Sequence, residues 1–305
     1  MIDASSLRSG ARVAEAAVTA RVSLVTCAEL PDLDPDDQLV LEPLAALGVA
    51  VDAAIWDDAG VDWASYDLVV LRSTWDYAGR RDEFVSWASR IPRLANPADV
   101  VAWSTDKRYL GELASAGVPV VPTRWVGPAD VWTLPVEGEW VIKPAVGAGS
   151  RDTGRYDATN ASHRELAVSH VARLQAASRL VMVQPYLRAV DSYGETALLF
   201  VGGEYSHAIR KGPMLQGPDV GVEGLYKQEE ITSREPSATE LAIAEKALAA
   251  VPGGSHRLLY ARADLIPGVD GEPLLVELEL AEPSLFMATA GGAARRLARA
   301  ILATV

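Results

Sequence analysis

The chain has 305 residues, 49% of them hydrophobic, a formal net charge of −13 and one cysteine, Cys27. Such length and apolar content predict one large or two to three modest globular units with a proper core, and exclude a disordered chain. The acidic balance argues against broad nucleic-acid binding and against docking on anionic membranes, both of which rest on Lys/Arg, and a lone cysteine excludes an intrachain disulfide or a cysteine-built zinc site.

Residues 1–20 are Ala-rich with Arg8, Arg12 and Glu15 and lack the continuous apolar core of a signal peptide, so they are expected to form a loosely ordered leader or short helix. No run approaches the eighteen or so apolar residues of a membrane span, and a cytoplasmic location is expected. Residues 21–26 read as an apolar strand, after which Cys27 is expected as a small buried hydrophobe. A helical pattern runs from Asp34 to Leu47, with a kink or break expected from Pro43, and ends at Gly48. Residues 49–56 and 67–71 read as buried parallel strands, and 81–89 as a helix. Ligands of such open sheets sit beyond the strands' carboxyl ends, where the third strand delivers Arg72, Ser73, Thr74, Trp75, Asp76 and Tyr77.

Beyond Asn96-Pro97 the pattern predicts a helix over 105–117 carrying Lys107 near its start, an extended 118–123 and a strand over 140–143 ending in Lys143. Lys143 opens a loop bearing Gly147, Gly149, Ser150, Arg151, Thr153 and Gly154. Glycines allow backbone N–H groups to approach phosphate oxygens, and lysine adds a compact charge, although the spacing matches neither the P-loop nor the dinucleotide fingerprint and an ordinary hairpin loop reads the same way. A helix over 163–178 and strands over 180–184, 196–201 and 205–211 follow, then a Gly/Pro-rich loop over 212–230, a helix over 239–250 and a last amphipathic helix over 291–303. Among four scattered histidines only His207 is expected near the cleft, as a satisfied structural residue.

The most informative stretch is 258–283, two apolar strands around a Pro/Gly/Asp-Gly turn that nonetheless carry acids. Residues two apart in a strand share a face, which groups Arg262 with Asp264 and Glu277 with Glu279. A two-residue turn at Asp270-Gly271 sets Asp264 opposite Glu277 and Arg262 opposite Glu279. Three carboxylates side by side call for something positive between them. A hard divalent cation is one answer; a solvated face whose acids pair with Arg262 is the other.

The order of Lys107, Lys143 before a Gly-rich loop, Gln184-Pro185-Tyr186-Leu187 with nearby acids, then Asp264 and Glu277-Leu278-Glu279 resembles the ATP-grasp superfamily, most closely its glutathione synthetase-like and RimK-like ligases. Residues 72–77, 105–109 and 282–286 look like the O-ureido-D-serine cyclo-ligase group, whose namesake closes the ring of D-cycloserine. The resemblance implies an α/β (α+β) ATP-grasp fold: an N-terminal pre-ATP-grasp α/β domain over 21–100, a small lid subdomain over 101–190 and a C-terminal subdomain over 191–305, with nucleotide held between the last two. It implies ATP and two Mg²⁺ ions, with Mn²⁺ able to substitute. Phosphates map onto Lys107, Lys143, Gly149 and Ser150, adenine onto Gln184, Tyr186 and Leu187, and ribose onto Glu195 with Asp191. The metal ligands map onto Asp264, Glu277 and Glu279, the last departing from the family's usual Asn. Thr196 stands where glutathione synthetases carry a basic residue, and Arg210, Lys211 and Arg262 are expected to supply that charge as catalytic cations.

The implied chemistry is activation of a carboxylate as an acylphosphate for attack by an amine-type nucleophile. Arg72 is assigned to the substrate carboxylate, Asp76 to its amine, and Ser73, Thr74 and Tyr77 to the same wall, with plain packing the alternative for Trp75 and Tyr77. The expected partner is a small amino-acid-like molecule, with no nucleic acid or membrane, and a homodimer is implied. A phosphotransferase on the same nucleotide site and a non-catalytic nucleotide-binding protein are the rival readings.

Overall fold

The computed structural model describes residues 19–219, 221, 225 and 230–305; the expected leader therefore lies almost wholly outside the described residues, as does much of the 212–230 loop. In chain order the elements are β1 (Ala20–Thr26), α1 (Pro35–Gln38), α2 (Leu41–Ala46), β2 (Val49–Ile55), β3 (Leu68–Ser73), α3 (Arg81–Ala88), β4 (Leu94–Ala95), α4 (Ala98–Ser104), α5 (Tyr109–Ser115), β5 (Arg124–Val126), β6 (Glu139–Pro144), β7 (Gly154–Asp157), α6 (Ala161–Ala176), β8 (Val181–Pro185), β9 (Glu195–Val201), β10 (Glu204–Lys211), β11 (Ile231–Arg234), α7 (Ala238–Ala249), β12 (Tyr260–Pro267), β13 (Pro273–Glu279) and α8 (Ala293–Thr304).

They form three sheets. The first is parallel, in the order β2-β1-β3-β4, and its order reverses between β1 and β3. The second is antiparallel, β11-β10-β9-β12-β13, and the third, also antiparallel, is β5-β8-β6-β7. All-apolar runs such as residues 68–71 are buried on both faces, as a parallel sheet covered by helices requires. The central five-stranded sheet packs Leu198, Ala263 and Leu278 against Leu110 of α5 and Leu248 of α7. Its other face packs Leu199 and Tyr260 against Leu297 and Ile301 of α8 and Leu24 of β1. Helix α6 covers the third sheet through Val171 and Leu174.

Local sequence accounts for most boundaries. Asn160 caps α6 by accepting from the backbone N–H groups of Ser162 and His163, and Ser237 with Glu240 forms a reciprocal capping box at α7. The helical pattern expected over 34–47 is two short helices broken at Leu39-Val40, with Pro43 in the first turn of the second. The helix expected over 105–117 begins only at Tyr109, α4 precedes it, and Lys107 sits in the turn between them. Strand β11, for which no element was expected, directly follows the segment read as loop up to residue 230.

The carboxylate hairpin pairs as the alternation requires, by a different route. Arg262 lies opposite Glu279 and Asp264 opposite Glu277. The turn, however, is not the two-residue Asp270-Gly271: Pro267 pairs with Pro273, and Gly268 N–H donates to Glu272 O at 2.8 Å. That shifts the register by one, and a β-bulge that leaves Val276 unpaired shifts it back.

The parallel sheet is bolted to the central one by buried polar groups. Asn96 donates to the carbonyls of Tyr260 (2.8 Å) and Leu280 (2.6 Å) and accepts from Leu259 N–H (2.7 Å). Arg72 is 1% exposed, pairs with Asp37 at 2.8 Å and donates to Pro283 O at 2.7 Å. Ser73 donates to the same Asp37 at 2.7 Å, and Trp75 Nε1 to Glu282 O at 2.9 Å. Removing one partner of a buried ion pair strands the other, at a cost of about 3–5 kcal/mol. Arg72→Ala is therefore expected to lower unfolding free energy by roughly that amount in urea denaturation. Arg72→Lys should recover only part of it, because one ammonium lacks the guanidinium's fork.

Candidate functional site

A cavity of about 520 Å³ lies where the three sheets meet, within the range of small-molecule sites. Strand β6 ends by delivering Lys143, the glycine-rich loop contributes Gly149 and Ser150, and the β8 exit contributes Gln184, Tyr186 and Leu187. Glu195 and Lys211 enter from β9 and β10, Arg262 and Asp264 from β12, Glu277 and Glu279 from β13, and Lys107 from its turn. Each of these residues was singled out in the sequence, from segments 172 residues apart at the extremes (Lys107 to Glu279).

Asp264, Glu195, Glu277 and Glu279 are each held by a cation from another element, and Asp264 also by Arg262 of its own strand. Asp264, 2% exposed, accepts from Arg262 at 2.9 Å and from Lys211 at 2.7 Å. Lys211 also pairs with Glu195, Arg262 reaches Glu279 at 2.5 Å, and Lys107 bridges Glu277 (2.8 Å) to Gly147 O (2.8 Å). Lys107 thereby ties the sheet to the glycine-rich loop. Lys143 makes no ion pair or hydrogen bond with a described residue; burial, reinforced by Lys107 and opposed by Glu277, draws its ammonium below the usual range.

Titration follows these partners. Burial works against the Asp264 carboxylate, yet Arg262 and Lys211 outweigh it and hold it at about 2. Burial dominates at Glu279, pushed up to about 8 despite Arg262, and at Glu195, pushed up to about 7 despite Lys211. Glu282, unassigned in the sequence reading, lines the same cavity, and burial holds it at about 7 although Tyr77 donates to it.

Among the described residues no three carboxyl, thiol or imidazole groups stand at metal-binding spacing. Lysine and arginine occupy the space between the acids that charge repulsion demands be filled. The donor set still suits a hard cation: all are carboxylate oxygens, and Glu277 and Glu279 keep 22% and 24% of their side chains accessible. Holding Mg²⁺ there requires these two to turn away from Lys107 and Arg262.

Several expected residues fall elsewhere. Arg72 and Ser73 are consumed by Asp37, which corrects their assignment to substrate. Asp76 accepts from Trp56 Nε1 at 2.9 Å and pairs with Arg80 at 2.6 Å, outside the cavity, so it is not placed to hold an amine there. Thr74 is fully buried and does not line the cavity, and Tyr77 reaches it only through Glu282. Arg210 alternates with Lys211 along β10 and points away, donating to Tyr193 O at 2.9 Å, so it is not a cavity cation. Asp191 also lies outside the lining and accepts from the Tyr186 hydroxyl at 2.5 Å. His207 is structural, its Nε2 at 2.9 Å from Leu285 O, and Cys27 is buried. Asp34, Asp36, Ser284 and Phe286 line the cavity without having been assigned there; for Glu282, an acid within an apolar run before Pro283 was a signal available in the sequence.

Residues 22–96 match the family model of the D-cycloserine synthetase DcsG N-terminal domain. The cycloserine biosynthesis protein DcsG of Streptomyces lavendulae is 39% identical over 295 residues, covering 92% of this chain and 97% of that one. The chain belongs to the DcsG family of ATP-grasp ligases. The crystal structure of D-cycloserine synthetase DcsG superposes with a TM-score of 0.80 at 37% identity, covering 92% of this chain and 98% of that one. D-alanine–D-alanine ligase from Bacillus anthracis complexed with ATP shares the fold at TM-score 0.62 and 13% identity, covering 93% and 97% of the two chains. No helix among the described residues of this ATP-grasp ligase is long and apolar enough to cross a membrane.

The carboxyls of Glu195, Glu279 and Glu282 keep their protons to higher pH when folded than the ordinary 4.5. The folded chain then binds more protons than the unfolded one, so their contribution is full below about 4.5 and is lost as pH rises through 7–8. The thermal midpoint of the metal- and nucleotide-free enzyme is expected to fall between about pH 6 and about pH 8.5, a window that spans those titrations, and Glu279→Gln should flatten part of the fall in differential scanning fluorimetry.

Proposed function

We propose that this ligase uses ATP and Mg²⁺ to activate the carboxylate of an amino-acid-like substrate as an acylphosphate, which a nitrogen nucleophile of the same molecule then attacks to close a ring. The observation that carries the reading is the cavity itself, where Lys143, with no ion pair to a described residue, stands beside the charge-compensated acids of β12 and β13. Phosphoryl transfer calls for positioning and neutralisation of negative charge more than for covalent help. Lys107 and Lys143 are suited to the phosphates, the β8 exit at Gln184, Tyr186 and Leu187 to adenine, and Glu195 to ribose. Asp264, Glu277 and Glu279 would hold Mg²⁺, whose chemistry is to neutralise the transferring phosphate.

In the first step a substrate carboxylate oxygen forms a bond to the γ-phosphorus, the bond to the β–γ bridging oxygen breaks, and ADP leaves. Arg262 offsets charge that builds on the phosphoryl oxygens. In the second the nitrogen attacks the acyl carbon, the carbon–oxygen bond to phosphate breaks, and the nitrogen loses a proton. Water must be kept from the acylphosphate. Support for such a cover comes from the glycine-rich loop and from Met214 and Leu215, which line the cavity. The strand after that loop is sewn to the second segment: Arg155 N–H donates to Gly217 O at 2.8 Å, and a Cβ on Gly154 would lie 2.5 Å from Asp219 N.

Incubation with ATP, Mg²⁺ and O-ureido-D-serine is expected to yield ADP, free phosphate and a cyclised product. Phosphate retained on the organic product would instead mark a phosphotransferase, and ATP binding without substrate-dependent ADP a non-catalytic protein. Glu277→Gln is expected to lower kcat by about 10³-fold or more while leaving the circular dichroism spectrum unchanged. Lys143→Met should raise the KM for ATP by about 10–100-fold, the worth of a charge-assisted hydrogen bond.

A further inference from the structure

One stretch of the cavity wall differs in charge from the rest. The lining cations Lys107, Lys143, Arg151, Lys211 and Arg262 come from the loops and strands of the second and third sheets. Trp75 from the end of β3 and the segment carrying Glu282, Ser284 and Phe286 also line the cavity, together with Asp34 and Asp36, and contribute acids and aromatic rings but no cation.

The acids of this stretch are not equivalent. Asp34 caps α1 by accepting from Asp36 N–H at 2.9 Å. Asp36 spends both oxygens on the backbone N–H groups of Met287 and Ala288, each at 2.9 Å. Glu282 differs. It is 7% exposed, forms no ion pair with a described residue, and its carboxylate meets the Tyr77 phenol. A phenol donates one hydrogen bond, whereas a carboxylate offers about four acceptor positions. The backbone around Glu282 is immobilised: Tyr260 hydroxyl donates to Ala281 O at 2.9 Å, Trp75 Nε1 to Glu282 O at 2.9 Å and Arg72 to Pro283 O at 2.7 Å.

A buried carboxylate without a counter-cation is expensive unless something positive joins it. The nearby cations are committed, Lys107 to Glu277 and Arg262 to Asp264 and Glu279. A cationic group entering the cavity would supply the missing charge. We propose that Glu282 binds the ammonium group of the carboxylate substrate, so that the enzyme selects acids bearing a protonated amine over their des-amino counterparts. This rests on the ligase reading above and adds to it the element of substrate choice. Trp75, whose Nε1 donates to Glu282 O, and Phe286 add aromatic surface to the same cavity, which favours a cation over a neutral group. Tyr77 is a positioning residue that holds the carboxylate's orientation.

The test is calorimetric and independent of turnover. O-ureido-D-serine and its des-amino analogue, 3-(ureidooxy)propanoic acid, are titrated into wild-type enzyme and Glu282→Gln with a non-hydrolysable ATP analogue and Mg²⁺ present. The wild type is expected to bind the amine-bearing ligand about 10–100-fold more tightly, the range of a charge-assisted hydrogen bond, and the ratio should collapse towards one in E282Q. Each ratio is internal to one protein, so a general loss of affinity does not disturb it. Should E282Q not fold, Glu282→Asp takes its place, with the ratio expected to fall severalfold. A wild-type ratio near one, or a preference that the variants leave intact, overturns the assignment even if ADP release shows ligase activity. A ratio that collapses as expected without any ADP release supports the ammonium assignment and counts against the ligase reading instead.

Discussion

The structure depends on keeping like charges apart on one buried face. Arg262, Asp264, Glu277 and Glu279 lie on adjacent antiparallel strands, and three carboxylates so placed repel one another in a medium that screens poorly. Compensation comes from three directions: Arg262 on the same hairpin, Lys211 from β10, and Lys107 from the turn before α5. Glu277 depends on Lys107 and Glu279 on Arg262, whereas the fully buried Asp264 is held by Arg262 and Lys211 together. The arrangement therefore couples the central sheet to the glycine-rich loop, since Lys107 holds both Glu277 and the Gly147 carbonyl. On the proposed reading, a site for a highly charged ligand is thus prearranged as a set of exchangeable ion pairs.

A second constraint is the joint between the parallel sheet and the central sheet. Arg72, Trp75, Asn96 and Tyr260 all donate to backbone carbonyls across that joint, those of Pro283, Glu282, Tyr260 with Leu280, and Leu71 respectively. The strand end that the switch-point rule marks as a ligand site is here covered by the segment 281–286. The consequence is an indirect contribution: the first domain shapes the cavity by fixing Glu282, Ser284 and Phe286 more than by offering its own charges. Buried hydrogen bonds to carbonyls are directional and carry no mobile counter-ion, which suits a wall that must not shift.

The covering loops add a mechanical feature. Ser150 and Asp152 adopt left-handed backbone conformations (φ 56° and 53°) that non-glycine residues rarely take, and Asp152 is held there by Arg173 and Arg179. Arg173 also pairs with Asp219 at 2.8 Å. Helix α6 of the third sheet thereby anchors both the loop after β6 and the segment after β10 through one guanidinium.

Much of this was written in local pattern. Period-two alternation placed Arg262 with Asp264 and Glu277 with Glu279, and the apolar runs, helix caps and family-like motifs indicated the α/β class, the ATP-grasp resemblance and most of the charged cavity residues, because these depend on neighbours in sequence. The hairpin register came out as expected only because a longer turn and a bulge at Val276 cancel, and neither device has a signature as strong as Asp-Gly. What sequence could not settle was which charged residue meets which. Arg72 and Arg262 look alike in a string, yet one is sealed against Asp37 and the other faces the cavity, and Lys211 rather than Arg210 turns inward. Those choices, and the burial of Glu282 without an ion pair to a described residue, arise from strands and loops far apart in the chain packing together. Long-range contact decides burial, and burial decides whether a charge is structural or available.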